Sequence, residues 1–245
     1  MFDLTPIYPL AVTSPDDDGL DAGFAWCAAH MQDGDHITVW THQKSNLHNN
    51  PKLEEFVERY SDVDHVTARG GVHIRRNGPV LMAWADQTDI AELIKSNSNS
   101  IRALCVVYWD EDKLRAWVTE AQPELLGDTS VWDVAVDPLD PVVEEALKSL
   151  TRVINHNNTI AGGYEKDRVV PVLLALHDAG YKLDGARMAG WAVANGWTGG
   201  NPAKLEEFVE AIEAGKRLRS RGRVPRDYIQ QLKARVAEAE EKTDG

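Results

Sequence analysis

The segment that decides the fold is residues 103–109, ALCVVYW, an unbroken apolar run with a charged residue on each side. A short run of this kind is typical of a buried strand in an α/β sheet. Two more short apolar runs, Ile7–Val12 and His36–Thr41, flank a stripe of apolar residues at helical spacing. This alternation predicts an α/β domain with a Rossmann-like β-α-β rhythm over residues 1–136.

One pair of predicted strands interrupts that rhythm. Val72–Arg75 and Val80–Trp84 lie on either side of Asn77-Gly78, a dipeptide that tolerates the positive φ angles of a tight hairpin turn. A hairpin places its two strands antiparallel to each other. We therefore expect one antiparallel insertion and a mixed sheet.

The pattern changes at Asp137–Pro141, where two prolines and two aspartates within five residues break the chain. Beyond this point the apolar residues recur at helical spacing. The expected helices are 167–179 with Pro171 in its opening turn, 184–195, a third capped by Asn201, and a last one that begins near Tyr228. The sequence therefore predicts an all-α domain, a helical bundle, over residues 137–245.

The composition is that of an ordinary globular chain, since 43% of its 245 residues are hydrophobic and 27% are charged. Cys27 and Cys105 are the only cysteines, which excludes a disulfide framework and a cysteine-rich zinc site. The longest apolar runs fall far short of the roughly 20 residues that span a bilayer. We therefore expect a soluble, cytoplasmic protein with no membrane contact.

Charge is divided unevenly along the chain. Residues 1–150 contain 11 Lys and Arg against 26 Asp and Glu, a balance of −15, whereas residues 151–245 contain 15 against 13, a balance of +2. The basic residues of segment 216–226, which has no acidic residue, are Lys216, Arg217, Arg219, Arg221, Arg223 and Arg226. Such a segment predicts contacts with nucleic-acid phosphates, because each contact releases condensed counterions. A solvated linker and a dock onto an acidic surface, including the first domain, are the alternatives.

Polar side chains follow the predicted strands of the first domain. In an open parallel sheet, ligands bind beyond the carboxyl ends of the strands. The catalytic candidates at these ends are Asp16, Asp18, His42, Lys44 and Asp110. Carboxylates can bind Mg²⁺ and a lysine can hold an anion, so one hypothesis is metal-assisted chemistry on a phosphate-containing substrate, if these side chains converge. The other interpretation is that the aspartates cap helices and that the chain has no metal site.

Two further features could form contacts with partners. The predicted helices 167–179 and 184–195 have helix-turn-helix spacing, with Arg187 and Asn195 on the second helix, although a bundle corner has the same spacing. Trp197 lies in a glycine-rich loop, where its ring either fills the bundle core or forms part of a partner surface. The tryptophans expected in the core are Trp26, Trp84, Trp109, Trp132 and Trp191.

Three functional hypotheses follow. The first is a cytoplasmic binding or regulatory protein that contacts nucleic acid through residues 216–226 and needs no cofactor. The second is a protein–protein adaptor or homodimer with Trp197 and the last helix at the interface. The third is an enzyme that uses Mg²⁺ at the carboxyl edge of the sheet. The sequence contains neither a P-loop nor a serine-hydrolase elbow that would name a reaction.

Overall fold

The computed structural model describes residues 8–70, 73–134 and 136–243. Within these ranges six strands form one sheet: β1 (Leu10–Thr13), β2 (Ile37–Thr41), β3 (Val63–Thr67), β4 (Gly78–Ala83), β5 (Ile101–Val107) and β6 (Glu124–Leu126). Their order across the sheet is β3-β2-β4-β5-β1-β6, and every neighbouring pair is parallel. The chain continues from β2 to β3 on one side and from β4 to β5 on the other, so the connections diverge between the neighbouring strands β2 and β4.

In the described ranges, five α-helices accompany the sheet and five follow it. The first five are α1 (Asp17–Ala29), α2 (Lys44–His48), α3 (Pro51–Arg59), α4 (Gln87–Asn97) and α5 (Glu111–Ala121). The other five are α6 (Pro141–Val153), α7 (Gly163–Asp178), α8 (Gly185–Ala194), α9 (Asn201–Glu213) and α10 (Tyr228–Thr243). The predicted order of an α/β part followed by a helical part is confirmed. Among the described helices, none is long and apolar enough to cross a membrane.

The apolar run at residues 103–107 is buried on both faces of the sheet, as its sequence predicts. Leu104 and Val106 point into a core formed with α4 and α5, whereas Cys105 and Val107 point into a core formed with α1 and α3. Side chains alternate between the two faces of a strand, so a strand covered on both sides needs apolar residues at every position. This sandwich of helices leaves the ends of the strands as the accessible parts of the sheet.

The predicted hairpin around Asn77-Gly78 is wrong. Val72 lies outside the described residues, residues 73–77 form no strand, and β4 pairs in parallel with both β2 and β5. The dipeptide instead brings the chain into β4, where the Asn77 carbonyl accepts a hydrogen bond from His36 N and Gly78 N donates to the Ser100 carbonyl. Gly78 has a φ of 153°, and a Cβ there would lie 2.0 Å from the His36 carbonyl oxygen. A close contact between strands, rather than a turn, requires this glycine.

Helix α8 joins the sheet layer to the helical part. Every residue from Met188 to Ala194 is buried. Trp191 belongs to the core of the helical part, whereas Val193 and Ala194 belong to the core beneath the sheet. At Gly190 a Cβ would lie 2.4 Å from the Ala116 Cβ of α5, so the two helices approach too closely for any larger residue. The helical part is therefore packed directly on the outer surface of the α/β part.

The tryptophans divide differently from the prediction. Trp26 and Trp191 are buried, and Trp84 and Trp132 are half-buried. Trp109, however, is 73% exposed, so its assignment to the core is wrong. Strand β5 ends at Val107, and Trp109 comes two residues later, beyond the edge of the sheet. A continuous apolar run in the sequence extended past the point where the sheet could bury it.

Candidate functional site

The strand order separates the predicted catalytic residues into two groups. Asp16 and Asp110 follow β1 and β5, which are neighbours in the sheet, whereas His42 and Lys44 follow β2. Three strand spacings separate β2 from β1, a distance of about 14 Å at roughly 4.8 Å per strand. The metal-assisted hypothesis requires Asp16 and His42 to lie in one cleft, and the structure does not bring them together.

The aspartates at this edge have structural partners. Asp16 Oδ1 accepts a hydrogen bond of 2.7 Å from Gly19 N, and Asp110 Oδ1 accepts one of 3.2 Å from Asp112 N, so each caps the helix that follows it. The Gly19 amide holds the pKa of Asp16 below its usual value. Asp18 is exposed in the first turn of α1, and Lys44 is the first residue of α2. Among the described residues, no group of three or more His, Cys, Asp and Glu could hold a metal ion.

His42 lines a separate cavity at the ends of β2 and β3. This cavity of about 410 Å³ is lined by His42, Gln43, Asn46, Ala68 and Arg69. His42 Nε2 lies 3.7 Å from Asp89 Oδ1, a residue of α4 that the sequence patterns did not single out. Burial raises the pKa of Asp89 above its usual value. In the sequence, Asp89 could be identified only as part of the capping box at the start of α4. It lies near His42 because α4 follows β4, which pairs with β2.

The basic segment 216–226, here called the strap, runs along the surface with an alternating pattern of burial. Its half-buried residues are Leu218, Ser220, Gly222 and Val224, and Leu218 and Val224 pack against the core of the helical part. Its exposed residues include all six predicted cations: Lys216, Arg217, Arg219, Arg221, Arg223 and Arg226. This alternation turns one side of the strap to the protein and presents the positive charges to solvent.

The strap is fixed to α7 at Asp167. Asp167 Oδ1 accepts hydrogen bonds from Ser220 Oγ at 2.9 Å and from Arg221 N at 2.7 Å. These bonds, the Arg221 amide first, hold the pKa of Asp167 below its usual value. The strap is therefore anchored to the helical part and is not simply a solvated linker between helices.

A proline within α7 shapes the surface on which the strap lies. Pro171 is inside α7, not in its opening turn as predicted, because the helix begins at Gly163. Since proline has no N–H, the carbonyl of Asp167 loses its helical partner. Gly222 packs against this carbonyl, and a Cβ at Gly222 would lie 1.7 Å from the oxygen and 3.0 Å from Pro171 Cγ. Only glycine allows the strap to approach α7 this closely.

Most of the strap cations have no acidic partner. Arg217 lies 3.8 Å from Asp178, and both side chains are exposed. The side-chain nitrogens of the other five cations form no salt bridge within 4.0 Å in the part of the chain that the structure describes, although the charge of Arg221 also acts on Asp167, which its backbone amide binds. Salt bridges inside the protein therefore do not account for this concentration of positive charge.

A second group of arginines lies beside the strap, around a cavity of about 600 Å³. The walls come from α6, α7, the strap and α10, and the arginines that line it are Arg152, Arg168, Arg223 and Arg235. Of these four, only Arg223 belongs to the segment that the sequence analysis identified. The other three are distributed over three helices and more than 80 positions of sequence, so no local motif could have indicated them.

Two predicted partner surfaces are not available. Trp197 has no exposed surface, and its Nε1 donates a hydrogen bond of 2.7 Å to Thr151 Oγ1 inside the helical core. Its interpretation as a partner surface is therefore wrong, whereas the alternative, that it fills the bundle, is confirmed. Helix α8, the predicted recognition helix, packs between α5 and α9, and its residues from Met188 to Ala194 are buried, so this part of the helix has no free face for a DNA groove. Arg187, which lies on this helix, has two buried side-chain nitrogens, Nε and Nη2.

Comparison with known proteins adds a family relationship for the helical part. Residues 139–233 are similar to a family whose description is "Domain of unknown function (DUF1889)". The matched range, less than half of the chain, contains α6 to α9, the strap and the beginning of α10. No curated protein and no solved structure matches the chain.

Proposed function

We propose that the helical part binds nucleic acid through contacts between the strap and the phosphate backbone. The observation that carries this proposal is that the strap is anchored to α7 while the side chains of five of its six exposed cations form no salt bridge in the described residues. An anchored segment loses little conformational freedom on binding, so most of its electrostatic attraction contributes to affinity.

The spacing of the cations suits a linear polyanion. One residue separates Arg219 from Arg221 and Arg221 from Arg223. The Cα atoms of each successive pair are at most about 7 Å apart along an extended chain. Arginine forms paired hydrogen bonds with phosphate oxygens, and each contact releases counterions from the nucleic acid. A row of such contacts gives affinity without sequence information, because every phosphate in the backbone is chemically the same.

The charge of the rest of the protein directs the contact. Residues 1–136 contain 10 Lys and Arg against 22 Asp and Glu, a balance of −12, so the α/β part repels nucleic acid. No aromatic residue lies within 216–226, so the strap offers no aromatic platform for base stacking. We expect backbone binding to be confined to the strap side of the helical part and to depend little on base sequence.

Fluorescence anisotropy with labelled single-stranded DNA, RNA and duplex tests this proposal. The strap variant replaces Arg219, Arg221 and Arg223 with Gln, and the control variant replaces the exposed Arg59, Arg75 and Lys113 of the α/β part with Gln. Both variants lose three positive charges. At low salt we expect the strap variant to lose affinity by about tenfold or more and the control to stay within about twofold of wild type. Equal losses in both variants, or no binding by the wild type, would overturn the proposal.

A further inference from the structure

We propose that the cavity between α6, α7, the strap and α10 binds a phosphate monoester, namely the terminal phosphate of a nucleic-acid strand. This inference rests on the proposed function, because the strap forms one wall of the cavity through Gly222, Arg223 and Pro225. A strand end in the cavity would continue directly onto the exposed cations of the strap.

The charges around the cavity leave an excess of two positive charges. Four arginines and one carboxylate, Asp167, line it, and a second carboxylate, Glu145, binds two of these arginines from beside the cavity. Glu145 accepts hydrogen bonds from Arg152 at 3.2 Å and from Arg235 at 3.4 Å, while Asp167 is already bonded to the strap. Four guanidinium groups against two carboxylates give a net charge of +2. This balance matches a monoester, which has close to two negative charges at neutral pH, better than a singly charged diester.

Two of the arginines have donors to spare. Arg223 has no carboxylate within 4.0 Å in the described residues. Arg168 stacks on the ring of Tyr164 at 4.3 Å and donates to its hydroxyl through Nη2, but its buried Nε has no partner in the described part of the chain. A buried donor without a partner is costly, so a ligand that accepts from this guanidinium gains more than one that meets a fully satisfied group.

The remaining walls suit the nucleoside attached to such a phosphate. Leu150, Val153 and Val172 give the cavity an apolar side, and Val153 is 48% exposed. Tyr228 stands on the opposite helix, and burial raises the pKa of its hydroxyl, which therefore stays protonated and able to donate to a phosphate oxygen. The cavity thus combines a cationic region with an apolar surface large enough to contact a sugar or base.

Three oligonucleotides of one sequence, with an internal label, test the inference: one has a 5′-phosphate, one a 3′-phosphate and one neither. We expect the wild-type protein to bind one of the phosphorylated strands about tenfold more tightly than the unphosphorylated strand, the gain typical of one additional charged hydrogen bond. Arg168→Gln should bring the ratio of the two affinities to about one, and the unphosphorylated strand measured with the same variant is the reference for its general loss of charge. Replacement of Arg219 and Arg221 with Gln should weaken binding of all three strands and preserve the preference.

The outcomes separate the two proposals. If all three strands bind equally well to the wild type, the cavity proposal fails and the proposed function stands. If no strand binds, the proposed function fails, and titration with adenosine monophosphate against adenosine then tests the cavity alone. Saturable binding of the monophosphate that Arg168→Gln and Arg152→Gln both abolish would support a free mononucleotide as the source of the phosphate. Absence of such binding by the folded wild type would overturn the site.

Discussion

The contact between Gly222 and α7 gives the sharpest prediction about the strap. In Gly222→Ala the new Cβ would lie 1.7 Å from the carbonyl oxygen of Asp167, an atom fixed in the helix backbone. The strap must therefore move away and lose the two hydrogen bonds from Ser220 and Arg221 to Asp167. One net hydrogen bond typically shifts such an equilibrium by roughly 2- to 13-fold, so the two bonds together shift it by roughly 5- to 150-fold. The population of the detached strap should then rise roughly 5- to 150-fold.

Trypsin cleavage measures this detachment, because its cleavage sites include the strap arginines. We expect cleavage within residues 216–226 of Gly222→Ala to be faster than in wild type by roughly 5- to 150-fold if cleavage follows the opened population. Gly162→Ala is the matched control, since nothing lies within 4 Å of its added Cβ and its φ is not in the left-handed region. Wild-type cleavage rates in Gly222→Ala would show that this contact does not hold the strap, and the reasoning would be wrong.

Three further predictions concern the anchor and the core. The pKa of Asp167 is lowered in the folded protein, so its contribution to holding the strap is full above the ordinary pKa of 3.8 and is lost as the pH falls through the folded-state pKa. Hydrogen exchange at Arg221 N should therefore be faster in Asp167→Asn than in wild type near neutral pH. Equal exchange rates in the two proteins would contradict the anchor. Trp197→Ala should lower the free energy of unfolding by about 3–5 kcal/mol in urea titrations, because the ring is fully buried, and a loss below about 1 kcal/mol would contradict this. Trp109→Ala should change the same free energy by about 0.5 kcal/mol or less, since the ring is 73% exposed, and a larger loss would indicate packing that the structure does not show.

Periodicity in the sequence predicted the order of layers well. Other elements bury the apolar run at 103–107 and the helical stripes after Pro141, but the spacing of the buried positions lies within one element, where a local pattern records it. The hairpin prediction failed because Asn77-Gly78 is a local turn signal, whereas Gly78 is required by a contact with His36, the residue that precedes β2. Trp109 failed for a similar reason, since its side chain lies past the last pair of β5 and no pattern within the run shows where pairing stops.

The candidate site was only partly visible in the sequence. The cations of 216–226 were evident, and the alternation of Leu218, Ser220, Gly222 and Val224 with them was a usable sign of a segment with one buried side. The anchor at Asp167 and the cavity arginines on α6, α7 and α10 were not evident, because they meet the strap only in the folded chain. Helix packing, and not any motif, assembles this part of the site.

The most direct test of the central claim is the salt dependence of binding to single-stranded DNA. If the five cations of the strap without acidic partners each contact a phosphate, the logarithm of the association constant should fall against the logarithm of salt concentration with a slope near −3.5, at about −0.7 per contact. Replacement of Arg219, Arg221 and Arg223 with Gln leaves two contacts and should reduce the slope to about −1.4, while the Arg59, Arg75 and Lys113 control keeps the wild-type slope. Identical slopes for the wild type and the strap variant would contradict the assignment of the strap as the phosphate-binding surface.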